Sequence, residues 1–305
     1  MQLKSFVWFM VLAVACGPSA RKSPGGGDDD DNGNSDGGNP GSSTADCAND
    51  CSNPICSGID GCPVCGVVDQ PQSSPLALPD TNEATGHSCT MDSQCTASFP
   101  NCIEGGDGGE CALSYTDTLN FIGFGSGQTL TDTSKLLSIC ATMEHSYYGD
   151  LQIELISPDG KILTLRKFAG LGQVGEFFLG HANDCDTDSM PVAGSGYKYC
   201  WTQTAATQML TSDNSDCAAT GGCETWSDNS AACQALDDTG PHQVIPAGNY
   251  LPQNNDFSAL QGAELNGMWT FRITDLWKVD NGYLFDWSIQ FDPSLVSDCS
   301  NPIIQ

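Results

Sequence analysis

The chain has 305 residues and carries 38 acidic against 10 basic side chains, a net charge of −28. A surface this acidic repels nucleic-acid phosphates and anionic lipid headgroups, which excludes both as electrostatic partners, and it attracts cations. Only 16% of residues are charged and 34 are glycine, which argues against long helices with charged faces, while 17 cysteines in a non-repetitive chain point to an oxidising compartment.

Residues 1–15 hold Lys4 and then an apolar run over 6–15, too short to span a bilayer as a helix but suited to a signal peptide. The run ends in Leu12, Ala13, Val14, Ala15 and Cys16, and small residues directly before a cysteine resemble a bacterial lipobox. Cleavage there would expose Cys16 for lipid attachment and anchor the chain to a membrane. It would also leave sixteen of the 17 cysteines, all able to pair. Ordinary secretion, with cleavage near Ala15 or Ala20, is the alternative. Gly17 stands where an Asp would favour inner-membrane retention, so the expected location is the outer membrane or cell surface. Residues 16–46 form the lipidated linker. From 19 onward it is almost wholly Gly, Asp, Asn, Ser and Pro, with too little apolar surface to repay ordering, and it reads as a disordered tether.

A cysteine-rich module is expected over 47–111. Cys47, Cys51, Cys56, Cys62 and Cys65 fall within nineteen residues, and Cys62 and Cys65 have zinc-knuckle spacing. The secreted context favours disulfides. Residues 67–86 read as a Pro- and Ser-containing connector. Cys89, Cys95, Cys102 and Cys111 then surround a Gly-rich loop at 105–109, an even set able to close as a two-bridge knot without a real core.

From 113 the pattern turns to strands. Residues 119–124 and 135–143 read as β, with Leu137, Ile139 and Ala141 alternating against Ser138, Cys140 and Thr142. Residues 144–165 read as two strands with Leu151, Ile153 and Leu155 on one face. Ser157, Pro158, Asp159 and Gly160 between them suit a type I turn. Another strand is expected at 177–179. Residues 183–241 form a polar stretch with Cys185, Cys200, Cys217, Cys223 and Cys233, read as a disulfide-held excursion. Strands resume near Val244. In 266–291 Trp269, Phe271 and Ile273 alternate with Thr270, Arg272 and Thr274. Beyond a turn at Asp280, Asn281 and Gly282, Phe285, Trp287, Ile289 and Phe291 alternate with polar residues. This period puts the aromatics on a buried face and the polar residues in water. Cys299 falls in the tail, 296–305.

His145, Gly149, Asp150, Leu151, Ser157, Pro158 and Gly160, then after a gap of about a hundred residues Gly267, Trp269, Asp275, Asp280, Gly282, Leu284 and Trp287, carry a resemblance. Together they resemble the P domain (P/Homo B domain) of proprotein convertases and of bacterial secreted subtilisin-like proteases, over roughly 113–293. The resemblance implies an all-β fold, a jelly-roll-like β-sandwich over 112–295 behind the tether and the disulfide-rich module. It also implies a non-catalytic domain that stabilises a protease, and calcium near its loop ends. Asp150, Asp275 and Asp280 are the candidate calcium ligands, with Glu144, Asp184, Asp186 and Asp188 as further oxygens. The alternating run 184–188 lacks the Gly and Glu of an EF-hand loop.

A subtilisin-type triad needs three segments of a large α/β domain. None is evident here, and none of His87, His145, His181 and His242 lies in a catalytic motif. His145 with Asp150 forms an acid–base pair on paper, but a histidine so placed more often braces backbone or carboxylate. Trp269 and Trp287 have core phase. Trp277, beside Lys278, is a candidate for contact with a protein or carbohydrate ligand, and a subtilisin-like protease made elsewhere is the other candidate partner.

Nine cysteines precede the β domain (five at 47–65, four at 89–111) and seven lie in or after it. Both counts are odd, so full pairing requires a bridge between the two regions. If the four at 89–111 pair among themselves, one of the five at 47–65 must reach the β domain, and peptide mapping under non-reducing conditions should find that bridge; a map with no disulfide between the two regions would refute the parity argument.

Overall fold

The computed structural model describes residues 67–78, 88–105, 108–168, 177–185, 191–209, 222–237, 239–276 and 280–295. Cys16, the tether, the cysteines at 47–65, Cys217, Cys299, Asp186, Asp188 and Trp277 lie outside the described residues. Among the described residues no helix is long and apolar enough to cross a membrane.

The fold is all-β. Strands β1 (Val67–Ala77), β2 (Ser88–Cys89), β3 (Asn101–Gly105), β4 (Gly108–Ala112) and β5 (Ser114–Phe121) come first. Then follow β6 (Leu136–His145), β7 (Leu151–Ile156), β8 (Ile162–Arg166), β9 (Phe177–Leu179) and β10 (Tyr197–Trp201). The last are β11 (Glu224–Trp226), β12 (His242–Ile245), β13 (Gly248–Tyr250), β14 (Gly267–Asp275) and β15 (Gly282–Phe291). One short helix, α1 (Ala231–Leu236), lies between β11 and β12. An eight-stranded sheet runs β1-β15-β6-β9-β12-β11, with β10 also on β6 and β13 on β10. A four-stranded sheet runs β5-β14-β7-β8, and a small third sheet runs β2-β4-β3.

The two larger sheets close on one core. Ile139, Ala141 and Met143 of β6 and Trp287, Ile289 and Phe291 of β15 meet Leu151, Ile153 and Leu155 of β7 and Trp269, Phe271 and Ile273 of β14. Phe271 stacks on Trp287 across the interface, ring centroids 5.0 Å apart and 15° from parallel. The Trp287 indole N–H donates to Asp117 Oδ2 at 2.9 Å, so the buried ring keeps its polar handle satisfied. Each such ring buries about 200 Å², worth about 5 kcal/mol of gross transfer free energy before entropy is charged against it.

Residues 144–165 behave as expected: β7 and β8 pair, and Gly160, at φ 83°, donates its N–H to Ser157 O at 2.9 Å. The later pair does not form a hairpin. β14 belongs to the four-stranded sheet and β15 to the eight-stranded one, so the Asp280–Gly282 connection crosses the sandwich. Alternation identifies a buried face, and both strands have one, but it does not say which strand is the neighbour. Nor is the alternation strict. A register shift between Leu284 and Asp286 places Leu284 in the core and leaves Phe285 half-buried over Gly196, where a Cβ would meet its ring at 2.5 Å. A shift at the other end of the same pairing buries Leu136 and exposes Leu137.

The polar side of β14 is not in water either. Arg272 donates Nε to Glu154 Oε2 at 2.8 Å, Gln152 donates to Glu154 Oε1 at 3.0 Å, and Thr274 meets Ser114 Oγ at 2.6 Å. All but the partly buried Ser114 are buried, because Ile103 and Ala112 of the cysteine module pack with Phe168 and Leu276 beside that face. The module closes as expected, with bridges Cys89–Cys102 and Cys95–Cys111. These four therefore use one another, the condition under which a cysteine of 47–65 must reach the β domain.

Two segments read as peripheral belong to the main sheet. Val67–Ala77, read as connector, is its edge strand on β15, with Pro71 at an irregularity where a missing N–H costs little. The stretch read as an excursion supplies β10, whose Tyr199 and Trp201 are fully buried and whose Cys200 faces and bonds Cys140 of β6. Cys185–Cys233 ties the loop after β9 to α1, and Cys223 is also disulfide-bonded. Replacing the central bridge by C140A/C200A should cost about 3 kcal/mol in denaturant unfolding, through a less constrained unfolded chain. An unchanged midpoint would show that the bridge carries no stability.

Candidate functional site

The sandwich brings the ends of β6, β7, β14 and β15 together. β6 ends in Glu144 and His145, a 3-10 turn over Tyr148–Asp150 leads into β7, β14 ends at Asp275, and Asp280 and Asn281 lead into β15. Gly282 opposes His145 directly, and a Cβ there would lie 2.4 Å from the Glu144 carbonyl oxygen and 2.5 Å from the His145 ring. The turn therefore needs this glycine for close approach, not for positive φ. Ser146 N–H closes the junction on Asn281 O at 3.1 Å.

His145 is fully buried, and its partner is Asp275 rather than Asp150: Nε2 lies 3.0 Å from Asp275 Oδ2. The Tyr147 amide donates to His145 Nδ1 at 3.0 Å, so in the neutral ring Nδ1 offers its lone pair and the proton faces Asp275 from Nε2; protonating Nδ1 gives up the Tyr147 bond. Both ring nitrogens are thus committed, one to a carboxylate and one to backbone, and neither is available to activate a nucleophile. Burial alone would lower the imidazole pKa, but Asp275, Asp150 and Glu144 together raise it to about 9.

Asp150 is 3% exposed, and its Oδ2 has no hydrogen-bond partner. Burial first, then the charges of Asp275 and Asp280, raise its pKa to about 8 against the opposing pull of His145 and Arg166. Arg166 is itself buried over the Tyr148 ring at 4.4 Å, with Nε and Nη2 unbonded. Asp280 is half-buried, its Oδ1 3.5 Å from Ser146 Oγ.

The three candidate calcium ligands therefore act on one another as a group. Hard oxygens, a buried carboxylate oxygen with no donor and excess negative charge suit a divalent cation. The convergence is incomplete, since no set of one oxygen from each falls within 4.8 Å of the others. The three described sulfurs that do converge so closely, of Cys89, Cys95 and Cys102, are locked in disulfides. Of the further oxygens, Glu144 Oε1 accepts the Gly194 N–H at 3.4 Å and Asp184 lies 3.4 Å from His242 Nε2.

Sequence reasoning missed a second cluster, on the β9, β10 and β11 side of the main sheet. His181 Nε2 lies 2.9 Å from Tyr197 Oη and 3.2 Å from Glu224 Oε1, and its ring stacks on Trp226 at 4.9 Å. Dense disulfides were the only signal there, because these residues are spread over forty-five positions of unremarkable polar sequence. A cavity of about 580 Å³ lies elsewhere, between the cysteine module and β7–β8, lined by Thr90, Gln152, Glu154, Lys167 and Arg272.

The folded chain holds the Asp150 proton between pH 4 and 8, where an unfolded chain with the ordinary value of 3.8 has lost it. Stability must then fall as pH rises through that window, and His145 acts in the same direction between 6.5 and 9. Thermal melts in EDTA should drop by at least about 5 °C from pH 5 to pH 9, and D150N should flatten the slope. A melting temperature that rises with pH would contradict this account.

The family model described as "Proprotein convertase P-domain" matches residues 135–179. No curated protein matches the chain. A crystal structure of a serine protease of Aeromonas sobria aligns at 13% identity and a TM-score of 0.23, covering 75% of this chain and 27% of that one. Residues 135–179 include β6, β7, β8 and β9 with His145 and Asp150, so the similarity to a proprotein convertase P-domain covers this segment of the sandwich.

Proposed function

We propose that the chain is a surface lipoprotein, anchored through lipid on Cys16, whose P-domain sandwich does no chemistry and serves to hold a partner. Calcium bound by Asp150, Asp275 and Asp280 stabilises it. The observation that carries the calcium role is the Asp150 Oδ2 atom, buried without a hydrogen-bond donor beside Asp275 and Asp280. A buried carboxylate oxygen left unanswered costs several kcal/mol unless a cation or proton meets it. The ion would supply charge neutralisation and cross-link the ends of β7, β14 and β15. His145 would hold Asp275 in place from behind. The non-catalytic role is supported by the commitment of both His145 nitrogens, and the exterior location by the disulfides and the lipobox-like start.

A second reading is favoured by the family match alone: the chain is an accessory in proteolysis, acting with a subtilisin-like serine endopeptidase encoded elsewhere. Co-purification of such an enzyme with the chain from its source membrane would favour it over free-standing adhesion.

Calcium at a hundredfold excess over its dissociation constant stabilises a fold by about 2.7 kcal/mol, roughly 5–10 °C for a domain of this size. Melts in EDTA and then in excess calcium should differ by that amount. D150N should abolish the difference while leaving the EDTA melt unchanged or higher. Superimposed melts of the unmodified chain in the two conditions would dispose of the calcium role.

A further inference from the structure

The disulfide-held stretch builds a pocket of about 230 Å³ bordered by His181, Ala182, Asn183, Gly194, Trp226 and Asp228. That volume admits one side chain, not a length of peptide. The backbones at His181 and Gly194 approach closely along one wall, where a Cβ at Gly194 would lie 2.0 Å from the His181 carbonyl oxygen. The walls are fixed. Cys185–Cys233 ties the loop carrying Asn183 to α1, Ser230 caps that helix on the Cys233 N–H, and His181 is held by Tyr197 and Glu224.

Ser195 also borders the pocket, and the walls carry donors in its hydroxyl and the Trp226 indole N–H, but the charge on them is an acceptor's. Asn183 Oδ1 is buried with no hydrogen-bond partner. Asp228 is 6% exposed, and its Oδ1 takes the Ser230 N–H at 2.7 Å. Among the described residues no lysine, arginine or histidine forms an ion pair with Asp228. Glu224 adds a further carboxylate on the far side of His181, and Trp226 offers an aromatic ring. A buried carboxylate, an unmet carbonyl and an indole together ask for a donor that is positively charged and flat. An anion is repelled by the same groups, and a neutral sugar would leave the Asp228 charge unanswered.

We propose that this pocket binds the guanidinium of an arginine side chain presented by a partner protein. Five N–H donors in a planar fork can meet Asp228 and Asn183 while the plane lies against Trp226. The chain's net charge of −28 would draw a basic partner towards it. This gives the partner in the preceding section a chemical character, and it rests on that section only for its biological meaning.

The test is an NMR titration of the purified chain with arginine methyl ester, following the Trp226 indole N–H assigned from W226F. A saturable shift is expected with a dissociation constant on the order of 1 mM, as suits a ligand this small. D228N keeps an acceptor for Ser230 but removes the charge, and N183L removes the carbonyl. Each should weaken binding at least tenfold with an unchanged melting temperature. Citrulline methyl ester, of the same shape with a neutral urea in place of the guanidinium, should bind at least tenfold more weakly than the arginine ester. Equal affinity for the two esters, preference for methyl glucoside, or no saturable shift from the folded chain would overturn the proposal. Titrations in EDTA and in calcium should agree, so failure of the calcium role leaves this result standing and the reverse also holds.

Discussion

The stack of Phe271 on Trp287 is the contact on which the rest depends, because it joins two strands that are sequence neighbours yet lie in opposite sheets. With β14 below and β15 above, the six residues between them must cross the end of the sandwich. The turn from β6 into β7 must cross the same end. Both crossings are short, so their polar side chains have nowhere to go but into each other. Burial of Asp150, His145 and Asp275 is thus a consequence of how the core closes and not a separate feature added to it.

Burial of those groups sets the electrostatics. A chain with 38 acids and 10 bases can spare few cations, yet two of its basic groups, His145 and Arg166, are buried at this end. They lower the cost of the buried carboxylates without removing it, since Asp150 remains raised after both have acted. The residual charge can be met by a proton at low pH or by an external cation at higher pH. Under the proposed calcium role, a fold that swaps one for the other would gain stability where calcium is plentiful and lose it on chelation.

Alternation made legible the strands with one wet and one buried face, and it named Trp269, Phe271, Trp287 and Ile289 correctly as core. It failed where a second layer covers the outer face. Gln152, Glu154, Arg272 and Thr274 look solvent-facing by period, and a cysteine module distant in sequence helps bury them. It failed again at Phe285 and Leu137, because a bulge shifts phase by one residue and leaves no mark in composition. Val67–Ala77 has no alternation because an edge strand can draw its pairing from the backbone alone. Of the metal candidates, Asp150, Asp275 and Asp280 were legible through turn chemistry and family resemblance. Their bracing by His145 Nε2 was visible only once β6 and β14 were placed together.

The disulfide-held stretch shows how a polar segment earns a defined shape without a core of its own. Its apolar cluster, Phe178, Ala182 and Val244, is too small to order sixty residues. Cys140–Cys200 fastens one strand to the main sheet, and Cys185–Cys233 draws the loop before that strand onto α1, so covalent bonds help to fix the pocket walls. Rigid walls made this way can carry unmet acceptors such as Asn183 Oδ1 that an ordinary loop would relax to satisfy. Glu144 accepts the Gly194 N–H at one border of that pocket and neighbours His145 in the carboxylate cluster. The two charged regions therefore share a wall, and a chain that neutralises one with a bound cation presents the other, still acidic, to whatever basic surface approaches.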